Sequence, residues 1–320
     1  MCRWIGVMPC LRSFPILLGA SIGLANGFPV SRAQADPPVS ITARIGDASR
    51  VLAESDPRIR ALGAARQREV VEFVIGNTLF TLTHELGHAA IGLFGLPVLG
   101  REEDAADTFA TLALLHVGTE FTHGVLLDAA RGLILIAERD ARMGLPLVFY
   151  AEHGLDRQRA FQIICLMTGS DPRSFRALAE RAGIPAERQE TCIDEFRQAE
   201  QSWLSLLRGH LRSAAPRARS FLRRLFRLPA TAAGAQDRIE VHYRAAPAPL
   251  APYKQALESV GLLEAVAGFA SQNLDWPATL GIEARACGEP NAYWDRGERR
   301  VVVCYELVAE YAEIALRSTL

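Results

Sequence analysis

Residues 83–107 read THELGHAAIGLFGLPVLGREEDAAD: His84, Glu85 and His88 stand in the order HExxH, and Glu103 and Asp107 follow in the order ExxxD. Histidines four apart on a helix lie one turn apart on one face, so both imidazoles can reach a single ion. The surrounding residues predict such a helix from Asn77 or Thr78 to about Phe94. Leu79, Phe80, Leu82, Leu86, Ala89, Ala90, Ile91 and Leu93 cover most of its circumference, which requires burial. Gly95, Pro97 and Gly100 end it. A second predicted helix, 101–117, opens with three acids where the helix dipole favours them and is apolar on all sides later on. The pattern predicts two buried helices joined by a short loop, the geometry that a metal site shared between helices needs.

His84 and His88 are the first two expected ligands. The third comes from Glu102, Glu103, Asp104 or Asp107. Glu103 is selected because Asp107 then follows one turn later on the same face, placed to accept a proton from a ligand histidine's other nitrogen. Glu102 and Asp104 are rotated about 100° to either side and read as helix-start acids in water. Two histidines and one carboxylate leave a fourth tetrahedral position open, as catalytic zinc sites do, so one zinc ion is the expected cofactor; the same ligand types also hold non-haem iron. Glu85 is the expected catalytic base of peptide-bond hydrolysis, taking a proton from an activated water and passing it to the leaving amine. The oxyanion needs a further donor. Tyr150, His153, His123, His116, His242 and Tyr293 are candidates, and His153 is selected as catalytic because it combines a polar loop with a local helix start.

The 320 residues, 49% hydrophobic, are enough for one buried domain or two and do not read as disordered. Residues 1–35 carry Arg3 and Arg12, a largely apolar uncharged run at 15–30, and Ala33-Gln34-Ala35, which together read as an export signal with its cleavage site. Pro15, Gly19, Gly23, Asn26 and Pro29 break that run and argue against a retained membrane anchor. Cleavage takes the formal charge from -1 to -4, which gives no case for nucleic acid. It also leaves four cysteines in a chain expected in the periplasm or outside the cell, an oxidising setting. Of the three pairings, proximity along the chain favours Cys165 with Cys192 and Cys287 with Cys304.

Elsewhere the patterning predicts a strand at 39–45, a helix or turn at 50–63, and at 69–76 a strand or the approach to the central helix. Helices are expected at 125–142, 156–168 and 174–182, and a longer helical segment at 192–228 that grows basic from Arg208 to Arg227. Its basic face suits an anionic membrane surface or a partner, but Pro216 interrupts it, and a packed helix pair with a solvated arginine face is the favoured reading. A strand at 239–243, a helix at 253–271, a strand at 282–286, a turn at 288–297, a strand at 300–304 and a helix at 305–317 complete the chain. The expected fold is α+β and predominantly α-helical: a core at 36–228 and a C-terminal helix-strand-strand-helix unit at 229–320 packed on it, in the same domain or its own.

HELGH with GREEDAAD, the later EHGLDRQRAFQIICLMTGSDP and CGEPNAYWDRGERRVVVCYEL together resemble the DUF4344 metallopeptidase family over most of the mature chain. The resemblance implies a zincin-like fold of the HExxH-plus-Glu class, with His84, His88 and Glu103 as ligands and Glu85 as base. It also supports pairing Cys287 with Cys304 around Asn291-Ala292-Tyr293. In similar zincins a short Asn-Ala turn and strand precede the HExxH helix and help hold an extended substrate, whereas here the comparable segment is C-terminal. Two placements are open: Asn291 and Tyr293 fold back beside the cleft, where a peptide can add to the strand edge, or the segment is a structural cap. The expected protein is an exported zinc metallopeptidase acting on a peptide or protein substrate. Its rivals are a non-catalytic, metal-stabilised binding or scaffold protein, which has no need of Glu85, and a zinc hydrolase of a non-peptide amide. Specificity and oligomeric state are not written in the sequence.

Overall fold

The computed structural model describes residues 41–212 and 238–318, all within one unit, Pro38–Leu320. The expected signal at 1–35 and residues 213–227 of the expected basic helix at 208–227 lie outside the described residues; residues 208–212 are not helix, because α8 ends at Leu207 and the chain turns into a bridge between Leu211 and Leu274. The chain runs α1 (Ile41–Ser55), α2 (Pro57–Arg60), α3 (Ala64–Phe94), α4 (Glu102–Val117), α5 (Glu120–Arg142), α6 (Asp156–Ser170), α7 (Pro172–Arg181) and α8 (Ala186–Leu207). Then come β1 (Ile239–Tyr243), α9 (Ala251–Val260), α10 (Leu262–Asn273), β2 (Leu280–Arg285), β3 (Ala292–Asp295), β4 (Arg300–Cys304) and α11 (Tyr305–Arg317). The fold is α+β and mostly helical, with one small mixed sheet.

α3 is the axis of the molecule. Between Val70 and Ile91 only Glu72 and Thr81 are partly exposed, because α1, α4, α5, α11 and the sheet all pack around it. A helix enclosed on every side needs its polar residues satisfied internally. Thr78 and Thr83 donate back to Val74 O and Leu79 O, each at 2.7 Å, and Asn77 Nδ2 donates to Phe73 O and to Asp128 O on α5. Gly95, at φ 63°, closes the helix in the left-handed conformation that glycine adopts without strain.

Four sequence expectations are revised here. Of the strand expected at 39–45, the described residues 41–45 are the start of α1, whose buried Ile45, Ala48 and Leu52 follow helical spacing. Of the two readings of 69–76, the helical one holds, and the central helix begins at Ala64 and not at Asn77 or Thr78; a short run rich in Val, Ile and Phe has no periodicity that separates strand from helix. The helix at 253–271 is two, broken at Gly261 with φ 69°, and the turn at 288–297 contains the strand β3.

The sheet order is β1-β2-β4-β3: β1, β2 and β4 are parallel, and β3 runs antiparallel to β4 at one edge. Glu283, on the central strand β2, is almost fully buried, and Arg244, Arg285 and Arg300 surround its carboxylate. Those three partners offset the desolvation that a lone buried carboxylate would suffer. Disulfides join Cys165 to Cys192, between α6 and α8, and Cys287 to Cys304, at the end of β4. Both pairings match the sequence expectation.

Candidate metal centre

The site is assembled on the contact between α3 and α4. Gly87, inside HELGH, permits the approach: a Cβ there would lie 3.2 Å from Ala106 Cα and 3.2 Å from the Phe109 ring. With the helices this close, Glu103 in the first turn of α4 reaches both histidines of α3. His84 Nε2 lies 3.1 Å from Glu103 Oε2, His88 Nε2 lies 3.3 Å from the same oxygen, and the two Nε2 atoms are 3.1 Å apart. Two nitrogens held tetrahedrally at zinc's usual 2.0–2.1 Å would be separated by about 3.3 Å, so this donor set fits one such ion.

Each imidazole is oriented from behind. His84 Nδ1 donates to Asp107 Oδ1 at 2.8 Å, and Arg159 of α6 clamps that aspartate, with Nε 2.7 Å from Oδ2 and Nη2 2.9 Å from Oδ1. His88 Nδ1 donates to Glu102 Oε1 at 2.9 Å. Burial disfavours the charged form of His84, yet Asp107 and Glu103 outweigh it and raise its pKa to about 9. Burial also opposes ionisation of Glu103, but His153, His84 and His88 hold it far below the usual carboxylate range. Asp107 is likewise held low against its burial, chiefly by Arg159. Glu85 moves the other way: it is 7% exposed, and burial raises its carboxyl pKa.

His153 is on the exposed segment between α5 and α6, and its Nε2 lies 2.7 Å from Glu103 Oε2. Three imidazoles thus converge on one carboxylate oxygen. His84, Glu103 and His153 form one grouping able to hold an ion, and His84, His88 and Glu103 bring three donor atoms to within 3.3 Å of one another. Glu85, His88, Glu103 and His153 line an open cleft of about 640 Å³ whose opposite wall includes Asn291, Tyr293 and Trp294. The C-terminal segment therefore folds back beside the cleft. Gly92 makes room for it, since a Cβ there would lie 3.2 Å from Trp294 Nε1. Tyr293 accepts a hydrogen bond from Arg285.

The other candidate donors are elsewhere. His116 is paired with Glu200, His123 packs edge-on against Phe175, His242 pairs with Glu240, and Tyr150 is almost fully exposed; none lines the cleft. One contributor was not foreseen, and another was weighed and set aside. Arg159 comes from 52 residues beyond its partner Asp107, and the only hint of it is that a buried aspartate needs a cation. Glu102, weighed as a third ligand and then read as a helix-start acid in water, instead lines the cleft and accepts from His88 Nδ1.

No curated protein and no solved structure matches the chain. A family model does, over residues 46–207 and 246–319, and these stretches contain every residue of the site just described. On that match, which spans well over half its length, the chain belongs to the DUF4344 family, described as "Putative metallopeptidase".

Proposed function

We propose that the chain is an exported, zinc-dependent peptidase whose ligands are His84, His88 and Glu103 and whose base is Glu85. The observation that carries this reading is the convergence of His84 Nε2, His88 Nε2 and Glu103 Oε2 to within 3.1–3.3 Å of one another, beside a buried glutamate in an open cleft. Zinc, when bound, supplies a Lewis acid that acidifies water and polarises a carbonyl. Asp107 and Glu102 accept from the Nδ1 atoms of His84 and His88, which leaves each Nε2 free to serve as a donor atom. Glu85 takes a proton from water and returns it to the leaving amine; its burial raises its proton affinity towards that task. β3, the sheet edge on the cleft side, offers backbone groups to an extended peptide. His153 is the nearest donor for the oxyanion. Two disulfides among the described residues are consistent with an oxidising compartment and support export.

One observation favours a second reading, a non-catalytic metal-stabilised protein: His153 also reaches Glu103, and a fourth protein donor would close the site as structural zinc sites are closed. Glu85→Gln separates the two. For a peptidase it lowers kcat/KM by about 10²–10⁴ with zinc content unchanged; if it left function intact the enzyme reading would fail. His153→Ala should then lower kcat and keep zinc, whereas a closing ligand would lose zinc. Peptide profiling with a chelator control distinguishes peptide bonds from other amides.

A further inference from the structure

Glu102 has two partners. Its Oε1 accepts from His88 Nδ1 at 2.9 Å, and its two oxygens accept from Arg296 Nη2 at 3.3 and 3.2 Å. Arg296 opens the turn between β3 and β4, and that turn is shaped locally. Asp295 Oδ1 accepts from Glu298 N at 2.9 Å, and Arg299 takes the left-handed conformation at φ 53°. The hairpin so closed carries Tyr293 and Trp294 in the cleft wall. One carboxylate, from the first turn of α4, therefore joins a candidate metal ligand on α3 to a hairpin almost two hundred residues away.

We infer that Glu102 is a positioning residue that latches the β3–β4 hairpin to His88, so that metal loading and seating of this cleft wall are coupled. The inference rests on the metal site proposed above. An acceptor behind a ligand imidazole fixes its tautomer and ring orientation, and loss of such a partner typically costs 10–100-fold in metal affinity. Arg296 is 71% exposed, and an exposed pair alone contributes little. It matters here because it shares the carboxylate that orients His88. Coupling of this kind is reciprocal: what the hairpin does to the metal, the metal does to the hairpin. A mere helix-start acid would act only through the helix dipole, and Asp104, in the same first turn, has that effect too.

The test uses the full chain, with zinc affinity measured by chelator competition and hairpin amides followed by hydrogen exchange. Glu102→Ala should weaken zinc about 10–100-fold, and Asp104→Ala should leave it unchanged. Arg296→Ala should weaken zinc about 2–5-fold in the wild-type background and have no effect in Glu102→Ala. Glu102→Gln keeps an acceptor for His88 but loses the charge that holds Arg296, so its affinity should fall between wild type and Glu102→Ala; it also decides the matter if the alanine variant fails to fold. Zinc should slow exchange across residues 292–300 in the wild type and not in Arg296→Ala. The latch is overturned if Glu102→Ala and Glu102→Gln behave like Asp104→Ala, if the Arg296→Ala effect persists undiminished in Glu102→Ala, or if hairpin exchange is indifferent to both. A wild-type chain that binds zinc but cleaves no peptide would defeat the peptidase reading and leave the latch standing. One that binds no zinc would overturn both.

Discussion

A carboxyl group pressed against a helix responds to pH differently from one in water, and Asp128 is such a group. It lies on α5 against Gly76 of α3, where Oδ2 would be 3.1 Å from an added Cβ, and burial raises its pKa to about 7 despite Arg131. The folded chain therefore holds a proton between about pH 4 and 7 that the unfolded chain has released. Stability falls as pH rises through that window and levels off above it, by at most about 4 kcal/mol from this residue. Asp128→Asn should flatten that slope in urea melts at pH 5 and 7.5 and leave the neutral-pH protein more stable; equal slopes would refute the assignment. At this scale the sequence is informative wherever partners share a helix. His84 and His88 are related by helical spacing, as are Glu103 and Asp107, so their common faces follow from the chain itself. Arg159 and Arg296 reach the site only through tertiary packing, and no local pattern encodes that.

Elements meet closely here because small residues stand at the crossings. On α6, a Cβ at Gly169 would fall 2.1 Å from Cys192 O and 2.7 Å from Phe196 Cβ, and the Cys165–Cys192 bond prevents α8 from backing away. The roughly 1 kcal/mol that alanine gains over glycine in a helix cannot offset that overlap. Gly169→Ala should cost about 3 kcal/mol or more in denaturant unfolding. Gly87→Ala is the gentler case: its contacts of 3.2 Å are with α4, the helix that brings Glu103 to the histidines, so its effect should appear as weakened zinc binding more than as lost stability. α4, which Gly118 ends in the left-handed conformation, and α11, which follows directly on β4, were legible close to their ends. α1 was not, because the alternating branched and polar side chains of 39–45 satisfy a strand pattern until the following turns show Ala48 and Leu52 on the same buried face. β3 was hidden for a different reason: only four residues long and half-buried throughout, it has no alternation to read.

At the scale of the whole molecule, two covalent links act on two different parts. Cys165–Cys192 encloses α7 and ties α6 to α8, across a separation of 27 residues. Cys287–Cys304 spans 17 residues and ties the segment before β3 to the end of β4. There, Glu306 also accepts from the backbone N–H groups of Cys287 and Gly288. Loop closure predicts a similar loss of unfolded-state entropy for each, about 3 kcal/mol. Replacing either pair by alanines should therefore lower Tm by a comparable amount, about 5 °C for a chain of this size. Their effects on the site should differ. α6 carries Arg159, which holds Asp107 through a side-chain clamp that survives without the bond, whereas the second bond closes the loop leading directly into Asn291 and the cleft wall. The Cys287/Cys304 variant should lose exchange protection across β3 at temperatures well below its Tm, and the Cys165/Cys192 variant should not. Scanning calorimetry gives the first comparison and hydrogen exchange the second. Equal loosening of β3 in both variants would show that the hairpin is held by global stability and not by its own staple.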